Sequence, residues 1–393
     1  VQPYAVLGQA LQRRGHEVTL STGKNFEKLV ISYDIGFVPV EADYQAILDS
    51  DEGKKMVRGN PFAIRRSLNT WVYPLVEQCL TEFYRLAQES DKVLYHVKTL
   101  GDCFADQFPE KMMRALVVPA IQATTKFPNP AFSGLPIPSF LNKLSYGLSN
   151  AGMKIMNKPI ARFREEAGLS KKFKVPQTPV LYGVSPLLLP KPQDYPDSAT
   201  FTGFWFGTSS QELPTDLLEF IRSGEPPLVL TFGSMPFKSK FDLQETILRL
   251  TQKFDVRFII MKGWGLETTE KLAGSSAIKV IDSAPYDKLF PLVRAVVHHG
   301  GAGTTAECLR AGKPMLICPV LHPMGDQMFW GKRVQEKGVA VPPIALKNLS
   351  EAAFFTSIGK LLNTGVLYKN AQLIAEQLAG ENGVMNAIAE IEK

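Results

Sequence analysis

In the second half of the chain, short apolar runs at 228–232, 257–261, 278–281, 295–298, 315–319 and 338–341 alternate with longer stretches whose apolar residues recur at helical spacing. Runs this short and this uniformly apolar suit strands that are covered by helices on both faces of a parallel sheet. The pattern predicts a Rossmann-like unit of alternating strands and helices. The first half repeats the theme at 17–21, 37–40, 92–96, 115–118 and 180–184, with irregular insertions between 124 and 158. A passage rich in Pro and aromatic residues, from about Pro190 to Pro227, separates the two halves. The expected fold class is α/β, with one Rossmann-like domain over 1–206 and a second over 207–393.

Two stretches depart from this rhythm. At the start, Pro3 suits the first turn of a helix, and Tyr4, Leu7, Ala10 and Leu11 form an apolar stripe that ends before Gly15. A helix with no strand to feed it would leave its sheet badly holed, so a further strand is expected ahead of Val1. In the insertion, Leu141, Leu144, Leu148, Ala151 and Ile155 make a helical apolar stripe with Lys143, Lys154 and Lys158 among them. Most of that stripe is expected to pack into the core. Its basic flank equally suits a membrane surface.

Composition narrows the class. The 393 residues are 45% hydrophobic and 21% charged, ordinary usage for two globular cores. Cys79, Cys103, Cys308 and Cys318 show no C-x-x-C spacing, and no apolar run approaches the ~18 residues of a membrane span, so a cytoplasmic setting is expected. The net charge of +6 suits an anionic ligand or a membrane surface, but no dense Lys/Arg block supports nucleic-acid binding.

The candidate chemistry lies at Val296-Val297-His298-His299-Gly300-Gly301-Ala302-Gly303-Thr304-Thr305. A strand that turns on glycines into a helix gathers unpaired N–H groups, a positive dipole end and hydroxyls at one point, which suits phosphate. No Lys follows, as a P-loop requires, and the dinucleotide pattern G-x-G-x-x-G is absent. His298 falls on the opposite pleat face from His299 and is expected to be structural. His16, after Gly15, is expected to be a cap or surface residue. Asp49-Ser50-Asp51 is expected to be a solvated run and not a metal site.

Around that turn the residues resemble a known family. Ala284-Pro285-Tyr286-Asp287-Lys288-Leu289-Phe290-Pro291, the Gly-rich turn itself and Gly325-Asp326-Gln327-Met328-Phe329-Trp330-Gly331 are similar to the donor-binding signature of family 1 UDP-glycosyltransferases. The nearest branch holds the sterol 3-β-glucosyltransferases and the glycosyltransferases of glycopeptide antibiotic pathways. Val1-Gln2-Pro3-Tyr4, Arg14-Gly15-His16-Glu17-Val18-Thr19, Phe232-Gly233-Ser234-Met235 and Gly263-Trp264-Gly265 extend the resemblance over nearly the whole chain.

The resemblance implies the GT-B architecture, two such domains facing across a cleft, with the helical segment after Tyr368 crossing back onto the first. It implies inverting transfer of a hexose, glucose from UDP-glucose first, to a hydroxyl of a lipophilic acceptor: sterol-like first, flavonoid or polyketide next. His299, Ser234, the backbone of Gly301, Gly303, Thr304 and Thr305 and the Thr304 hydroxyl are expected on the diphosphate, Asp326 and Gln327 on sugar hydroxyls, and the Ala284 backbone on the uracil edge. Ser283 stands where plant members carry a stacking Trp, so Trp264 or Leu289 is expected to pack nearby instead. The resemblance places the general base on an Asp just ahead of the position matching Val1, outside this sequence; His96, at the end of a predicted strand facing the cleft, is a candidate to orient the acceptor or assist that base. Phe127, Phe132 and Phe140 are expected to line the acceptor pocket. No metal or other cofactor is expected beyond the UDP-sugar co-substrate. The alternatives are a nucleotide-sugar-binding or activator protein that lacks the base, and a UDP-sugar epimerase or lipid-linked sugar transferase of similar fold.

Overall fold

A computed structural model describes residues 1–40, 66–232, 241–262, 272 and 274–393. The chain opens with the helix Gln2–Gln12, which buries Ala5, Val6, Leu7 and Leu11. Strands β1 (Thr19–Gly23) and β2 (Gly36–Val40) pair in parallel. A second parallel sheet runs in sequential order through β3 (Val93–Tyr95), β4 (Met112–Leu116), β5 (Val180–Tyr182) and β6 (Ala199–Phe201). The third comprises β7 (Leu228–Thr231), β8 (Phe258–Met261), β9 (Ile278–Ile281), β10 (Ala295–His298) and β11 (Met315–Ile317), all parallel, in the order β11-β10-β7-β8-β9.

The uniform apolar runs form strands because both faces of this third sheet are covered. Val229, Ile259, Val296 and Ile317 enter one buried cluster, whereas Leu228, Leu230, Phe258, Ile260, Val297 and Leu316 enter another. Successive side chains alternate between the two, as a period of two requires. The strand order reverses between β7 and β10, and in open parallel sheets the crevice at such a switch point, beyond the carboxyl ends of the strands, is where ligands bind.

The two ends of the chain meet. The final helix Gly383–Ile391 sets Ala387, Ile388 and Ile391 against Leu7 and Leu11. Glu392 accepts from Arg14 Nε at 2.8 Å and lies 3.0 Å from His16 Nε2, so His16 is a surface residue at the join of the two chain ends. Asn386 Nδ2 donates to the Thr202 carbonyl at 2.9 Å, and Lys92 Nζ to that of Ile391 at 2.8 Å. Among the described residues no helix is long and apolar enough to cross a membrane.

Three expectations are corrected. β6 lies inside the Pro-rich passage assigned to the join between the halves and pairs with β5. The run 338–341 yields only a parallel bridge from Ala340 to Met315, because Pro342 and Pro343 follow with no N–H to extend a ladder. The 141–155 stripe does not pack into the core: Leu144 is 65% and Leu148 62% exposed, with Ile155 exposed as well. The helix Asn142–Met153 buries Asn142, Ser145 and Tyr146 instead. Asn142 Nδ2 donates to the Thr125 carbonyl at 2.9 Å and Ser145 Oγ accepts from Asn129 N–H at 2.7 Å, so the polar face finds its partners inside.

Gly183 marks the tightest approach at the end of β5. A Cβ there would stand 2.8 Å from the ring of Trp205, which is buried and donates from Nε1 to Thr202 Oγ1 at 2.9 Å. Gly183→Ala is therefore expected to destabilise the protein by about 1–3 kcal/mol through overpacking. Gly147→Ala, where a Cβ meets nothing within 4 Å, should be neutral or slightly stabilising in thermal unfolding.

Candidate functional site

The turn after β10 is built by two glycines and one histidine. Gly300 takes φ +90°, and a Cβ on it would stand 2.6 Å from Ile317 and 2.8 Å from the Gln327 carbonyl, so no other residue fits that corner. Its N–H donates to His298 Nδ1 at 3.1 Å. With Nδ1 accepting, the neutral His298 ring carries its proton on Nε2, which points at Met315 Sδ 3.5 Å away. Complete burial holds His298 neutral by lowering its pKa well below the ordinary range. His298 is thus structural, and it fixes the corner that presents the next residues.

Gly301 is the N-cap of the helix Ala302–Arg310, and no side chain caps it. The first helical bond runs from Thr305 N–H to the Gly301 carbonyl at 2.9 Å, which leaves the N–H groups of Ala302, Gly303 and Thr304 without intrahelical partners. Gly303 is exposed, and a Cβ on it would meet nothing within 4 Å. The protein's own packing does not demand a glycine there; an open approach to the backbone does. His299 folds over this N-terminus, its Nε2 2.5 Å from where a Gly301 Cβ would lie. Burial lowers its pKa to about 4, and its Nδ1 is buried with no partner. Free N–H groups, a dipole end and the His299 ring thus converge on one spot suited to an anion.

Neighbouring elements brace the spot. The Tyr286 phenol is buried, which raises its pKa, while hydrogen bonds with Thr231 and Thr304 act the other way. Those bonds tie the end of β7 and the helix start to the short helix Tyr286–Leu289. Just ahead of that short helix, Ala284 is half-buried, and among the described residues neither its N–H nor its carbonyl is hydrogen-bonded. Leu289 is fully buried in the core and does not face the site.

The second candidate pair behaves unequally. Asp326 precedes the helix Gln327–Glu336, and its Oδ2 accepts from Trp330 Nε1 at 3.1 Å, leaving Oδ1 available. Gln327 is buried, and its Oε1 accepts from the N–H groups of Val320 at 2.7 Å and Leu321 at 2.8 Å, which clamps the preceding loop. That loop is also held by the first half of the chain. Gly325 N–H donates to the Ala131 carbonyl at 2.7 Å, Lys332 Nζ to that of Ser133 at 2.7 Å, and the rings of Phe127 and Phe329 lie 5.2 Å apart.

His96 follows β3, and its Nδ1 accepts from Lys98 N–H at 3.1 Å. Burial and the charge of Lys98 lower its pKa to about 4. With Nδ1 engaged, the neutral ring holds its proton on Nε2, so His96 can donate to an oxygen and is unsuited to take a proton. Among the described residues no hydrogen bond joins it to the Gly-rich turn. Phe127 is buried against Phe329, Phe132 is half-buried, and Phe140 is 81% exposed, so the three do not line one wall. Ser234, Trp264, Asp49 and Asp51 lie outside the described residues.

Sequence reasoning missed Glu307. One turn beyond Thr304, its carboxyl is pushed up to about 7 by burial, with Asp287 adding to the shift and Arg310, 3.4 Å away, opposing it. Arg310 also donates to the Gly207 carbonyl at 2.7 Å. A carboxyl that titrates near neutrality beside an anion cradle is a mark of functional sites. The available signal was its helical spacing from Thr304.

Comparison with known proteins agrees with this geometry. Residues 246–391 match the family described as erythromycin biosynthesis protein CIII-like, C-terminal domain. The chain is 29% identical to a sterol 3-beta-glucosyltransferase of Aspergillus terreus, over 100% of this chain and 29% of that protein. It is 28% identical to a sterol 3-beta-glucosyltransferase of Arabidopsis thaliana, over 99% of this chain and 62% of that protein. The chain thus spans less than two thirds of the length of either relative. The solved glycotransferase of kitacinnamycin superposes with a TM-score of 0.71 at 16% identity, over 100% of this chain and 95% of that one. Fold and turn together define a GT-B architecture of two Rossmann-like α/β domains. In sequence the chain is similar to glycosyltransferases over nearly its whole length.

The raised pKa of Glu307 has a sign that can be checked. Its folded value lies above the unfolded one, so the stability it contributes is present below about pH 4.3 and is lost as pH rises through about 7. Glu307→Gln is therefore expected to gain melting temperature relative to the parent progressively between acidic and mildly alkaline pH. A difference that stays constant with pH would show that the carboxyl titrates normally.

Proposed function

We propose that this chain transfers a hexose, glucose from UDP-glucose first, to a hydroxyl of a lipophilic small molecule with inversion at the anomeric carbon. A sterol-like acceptor is the first choice and a flavonoid or polyketide the next, in keeping with the names of the relatives. The observation that carries the reading is the uncapped helix N-terminus at Ala302–Arg310 with the ring of His299 folded over it.

The acceptor hydroxyl gives up its proton to the Asp that the family resemblance assigns as general base, and its oxygen attacks the anomeric carbon from the face opposite the diphosphate. The bond from that carbon to the diphosphate oxygen breaks, and its electron pair leaves with the nucleotide. The N–H groups of Ala302, Gly303 and Thr304 meet the growing negative charge, in a fixed arrangement that needs no reorganisation during the reaction. Neutral His299 donates one hydrogen bond more. Oδ1 of Asp326 addresses a sugar hydroxyl while Trp330 holds Oδ2. Gln327 contributes by clamping the loop, because its amide oxygen is already shared by two backbone donors. The free backbone groups of Ala284 suit the edge of the base, and the Nε2 proton of His96 suits the acceptor oxygen. No metal has a role in this reading. Incubation with UDP-glucose and a sterol, phenol or polyketide acceptor, followed by mass spectrometry, should reveal an acceptor one hexose heavier. UDP binding with no product from any acceptor would instead indicate a binding protein.

His299→Ala should lose a hydrogen bond to a charged group worth about 1.5–3 kcal/mol and so weaken UDP binding by about 10- to 100-fold in calorimetry. Unchanged affinity in a folded variant would remove His299 from the cradle.

Asp326 and Gln327 should separate. Asp326→Ala is expected to spare UDP affinity and lower turnover with UDP-glucose, since its free oxygen orients the sugar. Gln327→Ala, which releases Val320 and Leu321, should weaken UDP and UDP-glucose alike. Identical profiles for the two variants would show that both residues serve only the loop.

A further inference from the structure

The helix Asn142–Met153 is inside out. Phe140, Leu144, Leu148 and Ile155 project into solvent, while the opposite face, Asn142, Ser145 and Tyr146, is buried. At 100° per residue the four exposed side chains fall within an arc of about 80°. The orientation is fixed from beneath by the bonds from Asn142 to Thr125 and from Asn129 to Ser145, so the apolar face cannot turn inward without breaking buried hydrogen bonds. At its far end, Tyr73 Oη donates to the Ile155 carbonyl at 3.1 Å and Lys158 Nζ to Asn69 Oδ1 at 2.6 Å, which ties the helix to the segment bearing exposed Trp71.

Charge identifies what covers this face. From 111 through 164 the sequence holds eight Lys and Arg residues and not one Asp or Glu, which more than accounts for the chain's net charge of +6. Lys143 and Lys154 border one edge of the apolar arc, and both are exposed and make no ion pair among the described residues. An apolar arc bordered by lysines is the pattern of a helix lying in a membrane interface, with leucines and aromatics among the acyl chains and ammonium groups at the phosphates. A second copy of this chain is a poor occupant, because a twofold contact would bring the same lysines together with no acidic residue in the stretch to neutralise them.

We propose that the exposed face of this helix docks the protein on an anionic lipid bilayer. The inference stands on the surface alone and is independent of the transfer reaction.

Co-flotation with vesicles tests it. The parent chain should float with mixed phosphatidylcholine–phosphatidylserine vesicles, less with phosphatidylcholine alone and less again at high salt. The double variant Leu144→Ser/Leu148→Ser should lose at least about tenfold in vesicle partitioning, since it removes two large apolar side chains from the arc. Lys143→Ala/Lys154→Ala should lower binding to the serine-containing vesicles and leave the weak binding to phosphatidylcholine unchanged. Circular dichroism and melting temperature should equal the parent's in both variants, which confirms folding and keeps the outcome separate from the transferase reading. The proposal is overturned if the parent remains soluble beside the anionic vesicles at low salt, or if the leucine variant floats as well as the parent. A concentration-dependent dimer dispersed by the leucine variant, with no vesicle binding, would overturn it in favour of a second copy.

Discussion

The site depends on one backbone corner, the passage from β10 through Gly300 into the helix Ala302–Arg310. The positive φ of Gly300 points the chain back over the sheet edge, and its N–H is held by the buried ring of His298. Helix starts are ordinarily stabilised by a Ser, Thr, Asp or Asn cap, worth about 1 kcal/mol. Here a glycine stands at that position and the N–H groups stay open. The fold forgoes the cap and leaves open donors of the kind that suit an anion.

The corner sits where it does because β10 enters the sheet on the other side of β7 from β8. That reversal opens a crevice at the strand ends, and Tyr286 spans it, bonded to Thr231 on one side and Thr304 on the other. The Asp326 loop is positioned by a different set of contacts: Gln327 from within the second half, and Ala131, Ser133 and Phe127 from the first. The two ends of the chain close the same pair of halves from the far side, where Ala387, Ile388 and Ile391 pack on Leu7 and Leu11. A sugar held by Asp326 would therefore be placed by both halves at once, which suits a reaction that must bring an acceptor and a donor together.

Much of this was legible beforehand. The strands at 228–232, 257–261, 278–281 and 295–298 were plain because burial on both faces leaves a continuous apolar run, and the turn was plain because its glycines and His299 are contiguous. β6 was hidden because three residues among prolines carry no period. Glu307 was hidden because a single Glu on a helix looks solvated until neighbours bury it. The Gln327 side chain looked free to reach a sugar because its partners, the Val320 and Leu321 N–H groups, become unpaired donors only once β11 ends and the loop folds back.

The sequence by itself determined the α/β class, the place of the Gly-rich turn and the chemistry it favours, because those properties depend on neighbours along the chain: φ freedom, apolar runs and helix starts. Tertiary structure alone decided which face of the 142–153 helix turns inward. Periodicity shows that Leu144 and Leu148 share a face, but whether that face is buried depends on what waits beneath it, and here Thr125 and Asn129 offer backbone groups that only Asn142 and Ser145 can satisfy.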